Sequence, residues 1–232
     1  MSSTFDKSSK IYDIRKNTTG YDGGYLEPRI FIVSKWVGKN KKILDVGCYD
    51  GLYSSYLMQG GNEVYGVDAS FNAVELAKKK GIKAKVADLE KKFEYPDGFF
   101  DVIHAGEVIE HLYDTDIFIK ECNRVLKIGG LLVITTPNTV SLPRRILYLL
   151  GNGKYFEASN TFSTEERSVG HIRFFTKMLL KKFVEYNGFI LKKFTSDYVN
   201  LIFFRSRLLA KVKPTFGRSL IMVFEKHDKP KL

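Results

Sequence analysis

The chain has 232 residues, 44% of them hydrophobic and 14% aromatic, enough for one sizeable core and better suited to a single α/β domain than to two full domains. Its 37 Lys and Arg against 26 Asp and Glu give a formal net charge of +11, and the excess is uneven: residues 141–232 hold 18 basic and 7 acidic side chains, which leaves 19 of each in residues 1–140. No apolar run reaches the roughly 18–20 residues that cross a bilayer, and two cysteines, Cys48 and Cys122, support neither a disulfide framework nor a zinc cluster.

Residues 1–20 are polar and are expected to be mobile. The opening MSSTFDKSSK lacks the apolar centre of a signal peptide, so a cytoplasmic protein is expected. YLEPRIFIVSKWV (25–37) has apolar positions at helical spacing with Pro28 in the first turn. From there strands and helices alternate. KILDV is a strand and GLYSSYLMQ a helix ending at Gly60 and Gly61; EVYGVD is a strand and SFNAVELAKKK a helix, with Ser70 as N-cap and Gly81 as its stop. IKAKVAD and FFDVIHAG are strands, EVIEHLY opens a helical stretch, TDIFIKECNRVLK is a helix, and GGLLVITTPN is a strand closed by Pro137. The pattern then changes. SLPRRILYLL reads as a short helix, GNGKYFEASNTFSTEERSVG has no strong period, TKMLLKKFVEYNG is a helix capped by Thr176, FILKKFTSDYV and SLIMVFEKH are strands, and the basic stretch FFRSRLLAKVKPTFGRS joins them.

The β-α-β-α regularity implies an α/β fold: a mostly parallel, doubly wound sheet with helices on both faces. In such sheets a ligand lies beyond the carboxyl ends of the strands. The residues there are Gly47 and Asp50, Asp68, Asp88, the run His104 to Glu107, and Pro137 with Asn138. The first loop, GCYDG (47–51), is no phosphate cradle. It lacks the Gly-Lys-Ser/Thr ending of a P-loop and the third glycine of a dinucleotide fingerprint, and Asp45 and Asp50 beside it would repel a pyrophosphate. Acidic strand ends suit a cationic ligand that carries a nucleoside and no phosphate.

These segments, in consecutive order over about residues 40–138, resemble the class I S-adenosylmethionine-dependent methyltransferases. ILDVGCYDG resembles the first motif, usually D-x-G-x-G, with Tyr49 standing at the last glycine position. VYGVDAS, VADLE, FFDVIHAGEVIEHL and VLKIGGLLVITTPN resemble the motifs at the next four strand ends. The resemblance implies a Rossmann-like seven-stranded sheet with a lid inserted after strand 5. In one domain, residues 40–138 would hold the cofactor, 139–175 would form the acceptor lid, and 176–232 would supply the last helix and strands. It implies that Asp68 accepts the two ribose hydroxyls, that Asp88 lies near the adenine amino group with Leu89 supplying a backbone amide, and that Asp45, Gly47, Cys48, Tyr49, Gly51, Ala69 and Glu107 complete the cofactor site. The implied activity is methyl transfer to an oxygen or nitrogen of a small-molecule or sugar acceptor. The rival readings are a metal-assisted RNA 2′-O-methyltransferase and a cofactor-binding scaffold without transfer.

On the acceptor side, Glu107, Glu110 and His111 follow strand 4, and His171 with Arg173 comes later in GHIRFFT. If this stretch is helical, Glu107 and His111 share a face. Three readings stay open: an ordinary solvated helix start, a general base at His111 or His171, or a Mg²⁺ or Mn²⁺ site formed by Glu107, Glu110, His111 and His171. The last follows from a resemblance to ubiquinone-biosynthesis and small-RNA methyltransferases. His104 ends strand 4 in an apolar run and reads as a hydrogen-bonded structural residue. The basic C-terminal part, with Arg144, Arg145, Arg205, Arg207, Lys211 and Lys213, reads either as a lysine-rich solvated surface or as the face for an anionic partner: a nucleotide or phosphorylated acceptor, a membrane surface, or RNA stacked on Phe174, Phe175, Phe203 and Phe204.

Overall fold

The computed structural model describes residues 28–152, 170–201 and 204–228. The expected mobile segment 1–20, the middle of the expected lid and Phe203 lie outside the described residues. In chain order the elements are α1 (Pro28–Val37), β1 (Lys42–Val46), α2 (Leu52–Leu57), β2 (Glu63–Asp68), α3 (Phe71–Lys79), β3 (Lys83–Val86), β4 (Phe100–Gly106), α4 (Thr115–Val125), β5 (Leu126–Pro137), α5 (Leu142–Leu149), α6 (Lys177–Tyr186), β6 (Phe189–Thr195), β7 (Val199–Leu201), β8 (Phe204–Ser206), α7 (Arg207–Val212) and β9 (Ser219–Lys226), with 3-10 turns at Ile109–His111 and Pro214–Phe216.

Seven strands form one sheet in the order β3-β2-β1-β4-β5-β9-β6, and β7 pairs separately with β8. The pairs joining β3, β2, β1, β4 and β5 are parallel, and β9 runs antiparallel to both β5 and β6. The period-two alternation of apolar side chains splits the core between the two faces. Along β9, Leu220, Met222 and Phe224 join the cluster with Phe118 and Cys122 of α4 and Leu180 and Val184 of α6. Ile221 and Val223 join the cluster with Ile30, Val33 and Val37 of α1 and Val74 and Ala77 of α3. Helices therefore cover both faces, as expected, and the loops that follow β1, β2, β3, β4 and β5 gather at one edge.

The caps fall where the sequence places them. Ser70 Oγ accepts the Ala73 N–H at 3.2 Å and Thr176 Oγ1 accepts the Leu179 N–H at 3.2 Å. Three expectations are corrected. The helix TDIFIKECNRVLK stops at Val125, because Leu126 is extended and pairs with Phe100. The strand FILKKFTSDYV breaks after Thr195, because the buried Asp197 carboxylate accepts from the N–H groups of Tyr198 and Ser219 and from the Ser219 hydroxyl. The basic connector is built structure: the β7–β8 hairpin, α7 and the Pro214–Phe216 turn pack with α5 into a small lobe at the carboxyl end of β5. Asn138 ties this lobe to the sheet by donating to the Thr215 and Gly217 carbonyls at 3.0 and 2.8 Å.

Candidate active site

The first loop is held by the second strand end. Asp68, 6% exposed, accepts the Tyr49 N–H through Oδ2 at 2.8 Å and the Ser70 N–H through Oδ1 at 2.9 Å. Burial pushes its carboxyl above the ordinary range, against the pull of these two N–H groups. Tyr49 has φ +46°, a left-handed conformation rare outside glycine. It thus keeps the backbone shape of the glycine it replaces, and its N–H points at Asp68 because of it.

Both loop glycines have positive φ, +72° at Gly47 and +76° at Gly51. A Cβ on Gly47 would lie 2.4 Å from Val108 Cγ2, and one on Gly51 would lie 2.9 Å from the Ala77 Cα. Both are close-packing positions, against the turn after β4 and against α3. Cys48 is 4% exposed and packs within the core. Its sulfur lies where a Cβ on Gly66 would come within 2.7 Å, and burial holds its thiol protonated. Cys48 can therefore offer a ligand only its backbone. Asp45 is also turned inward: Oδ2 accepts the Ser54 hydroxyl of α2 and Oδ1 lies 2.7 Å from His104 Nδ1. Asp45 is a tether between β1, α2 and β4, and His104 has the structural role expected of it. Asp88 accepts the Glu90 N–H at 3.0 Å, and Leu89 is half-buried against the core.

Glu107 does not begin a helix. Its φ is +57°, the short 3-10 turn starts at Ile109, and its side chain pairs with Arg29 of α1 at 2.5 Å and accepts from Thr135 at 3.1 Å. Its carboxylate is thus engaged by Arg29 and Thr135 and is not part of the cluster of three ligand atoms described below, and the shared helical face with His111 is not formed. Arg29 was invisible as a site residue because its partner lies 78 positions away on another element. A Pro-Arg helix start carries no such signal.

Glu110, His111 and His171 do come together. The Glu110 carbonyl accepts the N–H groups of Ile172 and Arg173 at 2.9 and 3.1 Å, which clamps the GHIR segment onto the turn after β4. The Arg173 guanidinium adds bonds to the Leu112 and Tyr113 carbonyls. The rings of His111 and His171 are then 4.7 Å apart, and both are half-buried. One ligand atom from each of Glu110, His111 and His171 lies within 4.8 Å of the others. His111 Nδ1 is 2.9 Å from the Gly170 carbonyl, which can only accept. Nδ1 therefore carries the proton, and Nε2 is the basic nitrogen.

Glu110 is 1% exposed; Thr136 donates to its Oε2 at 3.0 Å, while Oε1 is buried without a hydrogen-bond partner. Burial first, and then the Glu107 charge, raise its carboxyl well above the ordinary range. An acid raised in the folded state binds its proton more tightly there than when unfolded. Stability is therefore full below the unfolded value and falls as pH rises through the folded one. Glu110→Gln is expected to remove this slope and to melt above the parent at pH 8, by about 2–4 °C for each kcal/mol gained. Thermal melts of both proteins from pH 5 to pH 8 check this; parallel curves would show that Glu110 is ionised throughout.

With this geometry in place the comparisons are informative. Residues 44–134 match a family model described as a methyltransferase domain. Over 105 residues the chain is 40% identical to a ubiquinone biosynthesis O-methyltransferase of Pelagibacter ubique, covering 43% of each chain. Over 142 residues it is 33% identical to phosphoethanolamine N-methyltransferase 3 of Arabidopsis thaliana, covering 56% of this chain and 29% of the relative. The chain spans less than half the length of these curated relatives. Among solved structures it resembles a TehB-like SAM-dependent methyltransferase from Corynebacterium glutamicum (TM-score 0.61, 21% identity, covering 95% of this chain and 99% of that one). It also resembles the [4+2]-cyclase SpnF (TM-score 0.67, 16% identity, covering 97% and 98%). The sheet order, the strand-end site and the matched segment make this a class I S-adenosylmethionine-dependent methyltransferase fold. Residues 44–134 carry the match to the methyltransferase-domain family model, and over this core the chain is similar to the ubiquinone-biosynthesis O-methyltransferases.

Proposed function

We propose that this chain transfers the methyl group of S-adenosylmethionine to an oxygen, or a nitrogen, of a small-molecule or sugar acceptor. The observation that carries the mechanism is the pairing of His111 with the Gly170 carbonyl beside His171, at the sheet edge where β4 ends. The residues fit the cofactor: the Asp68 carboxylate at the second strand end, with Asp50 beside the first loop, suits ribose hydroxyls and a cationic ligand better than a phosphate. Asp68 would hold the ribose, with Asp88 and the Leu89 amide toward the adenine. When bound, S-adenosylmethionine supplies a methyl group on a sulfonium that leaves as a neutral thioether, so little further activation is needed.

The work left to the protein is alignment and proton removal. The bound cofactor would supply the methyl carbon and would carry away the carbon–sulfur electron pair on its sulfur, leaving the chain to place the acceptor oxygen. The acceptor proton passes to His111 Nε2, and the Gly170 carbonyl fixes the ring so that this nitrogen is the one that receives it. Tyr49, held in its left-handed turn, narrows the pocket on the methionine side.

A second reading is a divalent cation held by Glu110, His111 and His171, favoured by the buried Glu110 Oε1 that lacks a partner. Bound there, Mg²⁺ or Mn²⁺ would lower the pKa of an acceptor hydroxyl. For an RNA acceptor the support is weaker, since Phe175 is 6% exposed in the core and offers no stacking face. The likeness to a [4+2]-cyclase shows that this fold does not by itself fix the reaction. A screen with methyl-labelled cofactor over phenols, quinone precursors, sugar nucleotides and total RNA tests the proposal. Label is expected in a small molecule. Label in RNA alone, or none despite cofactor binding, would overturn it in favour of the RNA or scaffold reading.

A further inference from the structure

The lobe after β5 exposes what a soluble fold normally hides. On α5 Ile146 and Leu149 are 45% and 87% exposed, and Leu150, which caps the helix, is 75% exposed. They fall at i, i+3 and i+4, so they form one stripe. On α7, Leu208 and Val212 are 73% and 67% exposed, at i and i+4. Phe204 of the β7–β8 hairpin is exposed beside them in sequence. Both helices pack against β7 and the Pro214–Phe216 turn, so the two stripes belong to one body. Arg145 fastens that body from within. It donates to the Val140 and Thr215 carbonyls and lies over the Phe216 ring, so it is a structural residue and not a surface cation.

Along the segments that carry these stripes the charge has one sign. On α7 the exposed Arg207 and Lys211 alternate with Leu208 and Val212, and Arg205 and Lys213 flank the helix. There is no acidic residue from 198 to 224 and none from 122 to 156. Two helices that turn large aliphatic side chains outward, on segments whose own charges are basic, suit a partner that is apolar and anionic at once.

We propose that this lobe docks the protein on an anionic lipid bilayer surface, with the α5 and α7 aliphatic stripes at the acyl boundary and the basic side chains at the level of the lipid phosphates. A bilayer with acidic lipids satisfies both halves of the patch, since interfacial binding grows with apolar area and with attraction to anionic headgroups. It is a peripheral contact: no helix among the described residues is long and apolar enough to span a membrane. A second copy of the chain suits the patch less well, because a symmetric contact sets Arg207 and Lys211 near their own equivalents. RNA would satisfy the cations and leave the aliphatic stripes in water. Base stacking needs aromatic faces, and Phe204 is the one exposed aromatic among these patch residues.

The test is flotation of the full chain with vesicles of phosphatidylcholine alone and of phosphatidylcholine mixed with phosphatidylglycerol. Binding is expected to the anionic vesicles, to weaken with salt, and to be slight on the neutral ones. Arg207→Gln with Lys211→Gln is expected to lower partitioning on the order of tenfold and to flatten its salt dependence. Leu208→Glu with Val212→Glu is expected to abolish it. All four side chains are exposed, so melting temperature and affinity for S-adenosylhomocysteine should stay at parent values in both variants. The proposal is overturned if the chain ignores anionic vesicles at low salt, or if the Leu208 and Val212 variant still floats with them. It is also overturned if sedimentation shows a dimer that this variant dissolves, or if single-stranded RNA binds more tightly than the vesicles and only the Arg207 and Lys211 variant loses it.

Discussion

Asp68→Ala is expected to weaken S-adenosylmethionine binding by roughly 10- to 150-fold, the equivalent of about 1.5–3 kcal/mol for a hydrogen bond to a charged group. Two effects act in the same direction. The substitution removes the carboxylate proposed to accept the ribose hydroxyls. It also releases the N–H groups of Tyr49 and Ser70, which Asp68 now holds at 2.8 and 2.9 Å. The first is a direct contact, and the second loosens the loop that shapes the pocket. Asp68→Asn separates them, since its amide oxygen can still accept one of the two N–H groups while the charge is gone. Calorimetry with S-adenosylhomocysteine on the parent and both variants, with melting temperatures alongside, checks the assignment. Affinity unchanged in Asp68→Ala would place the ribose elsewhere.

The order of strands and helices was legible because the core writes itself as alternation and helical spacing. Leu220 to Phe224 feed both faces of the sheet residue by residue. The direction of side chains within the site was less legible. Asp45 reads as an acid beside a ligand loop, yet it sits one pleat repeat from Ile43, whose side chain packs under α1 and α3. Counting by twos along β1 would have turned it inward, toward Ser54 and His104. Gly51 also makes room for Ala77 through its missing Cβ, a contact with another helix that no local pattern records. Glu107 could not have been placed from spacing at all. Its positive φ and its Arg29 partner both come from tertiary structure, and they overrule the helix that the i, i+4 spacing suggests.

The same holds for the pairing that carries the proposed chemistry. His111 and His171 are 60 residues apart in sequence, and they meet because the Glu110 carbonyl takes the N–H groups of Ile172 and Arg173. This backbone clamp is independent of side-chain identity, so residue types alone do not reveal it. It has a practical consequence: His111→Ala or His171→Ala can remove an imidazole without releasing the segment that positions the other. Side-chain effects on rate can thus be separated from collapse of the site.

His111→Ala is expected to lower kcat by roughly 10²–10⁴, the range for loss of a positioned general base, with the cofactor's affinity nearly unchanged. In the proposed mechanism the Nδ1–H bond to Gly170 leaves Nε2 to take the acceptor proton, and His171 has a supporting place against the His111 ring. His171→Ala is therefore expected to cost less than His111→Ala. Under the base reading a chelator leaves the rate unchanged, and Glu110→Gln is mild, because a buried carboxyl raised by desolvation is replaced by a neutral group of the same shape. Under the cation reading the ranking changes. Glu110→Gln becomes as damaging as either histidine variant, a chelator abolishes turnover, and Mn²⁺ restores it. Because Glu107 is already committed to Arg29 and Thr135, Glu107→Gln discriminates from the other side. It should act through the Arg29 contact and not through cation affinity, so its rate loss should be insensitive to added Mn²⁺. Kinetics of these four variants with and without chelator distinguish the two readings, and parent-level rates for both histidine variants would exclude them together.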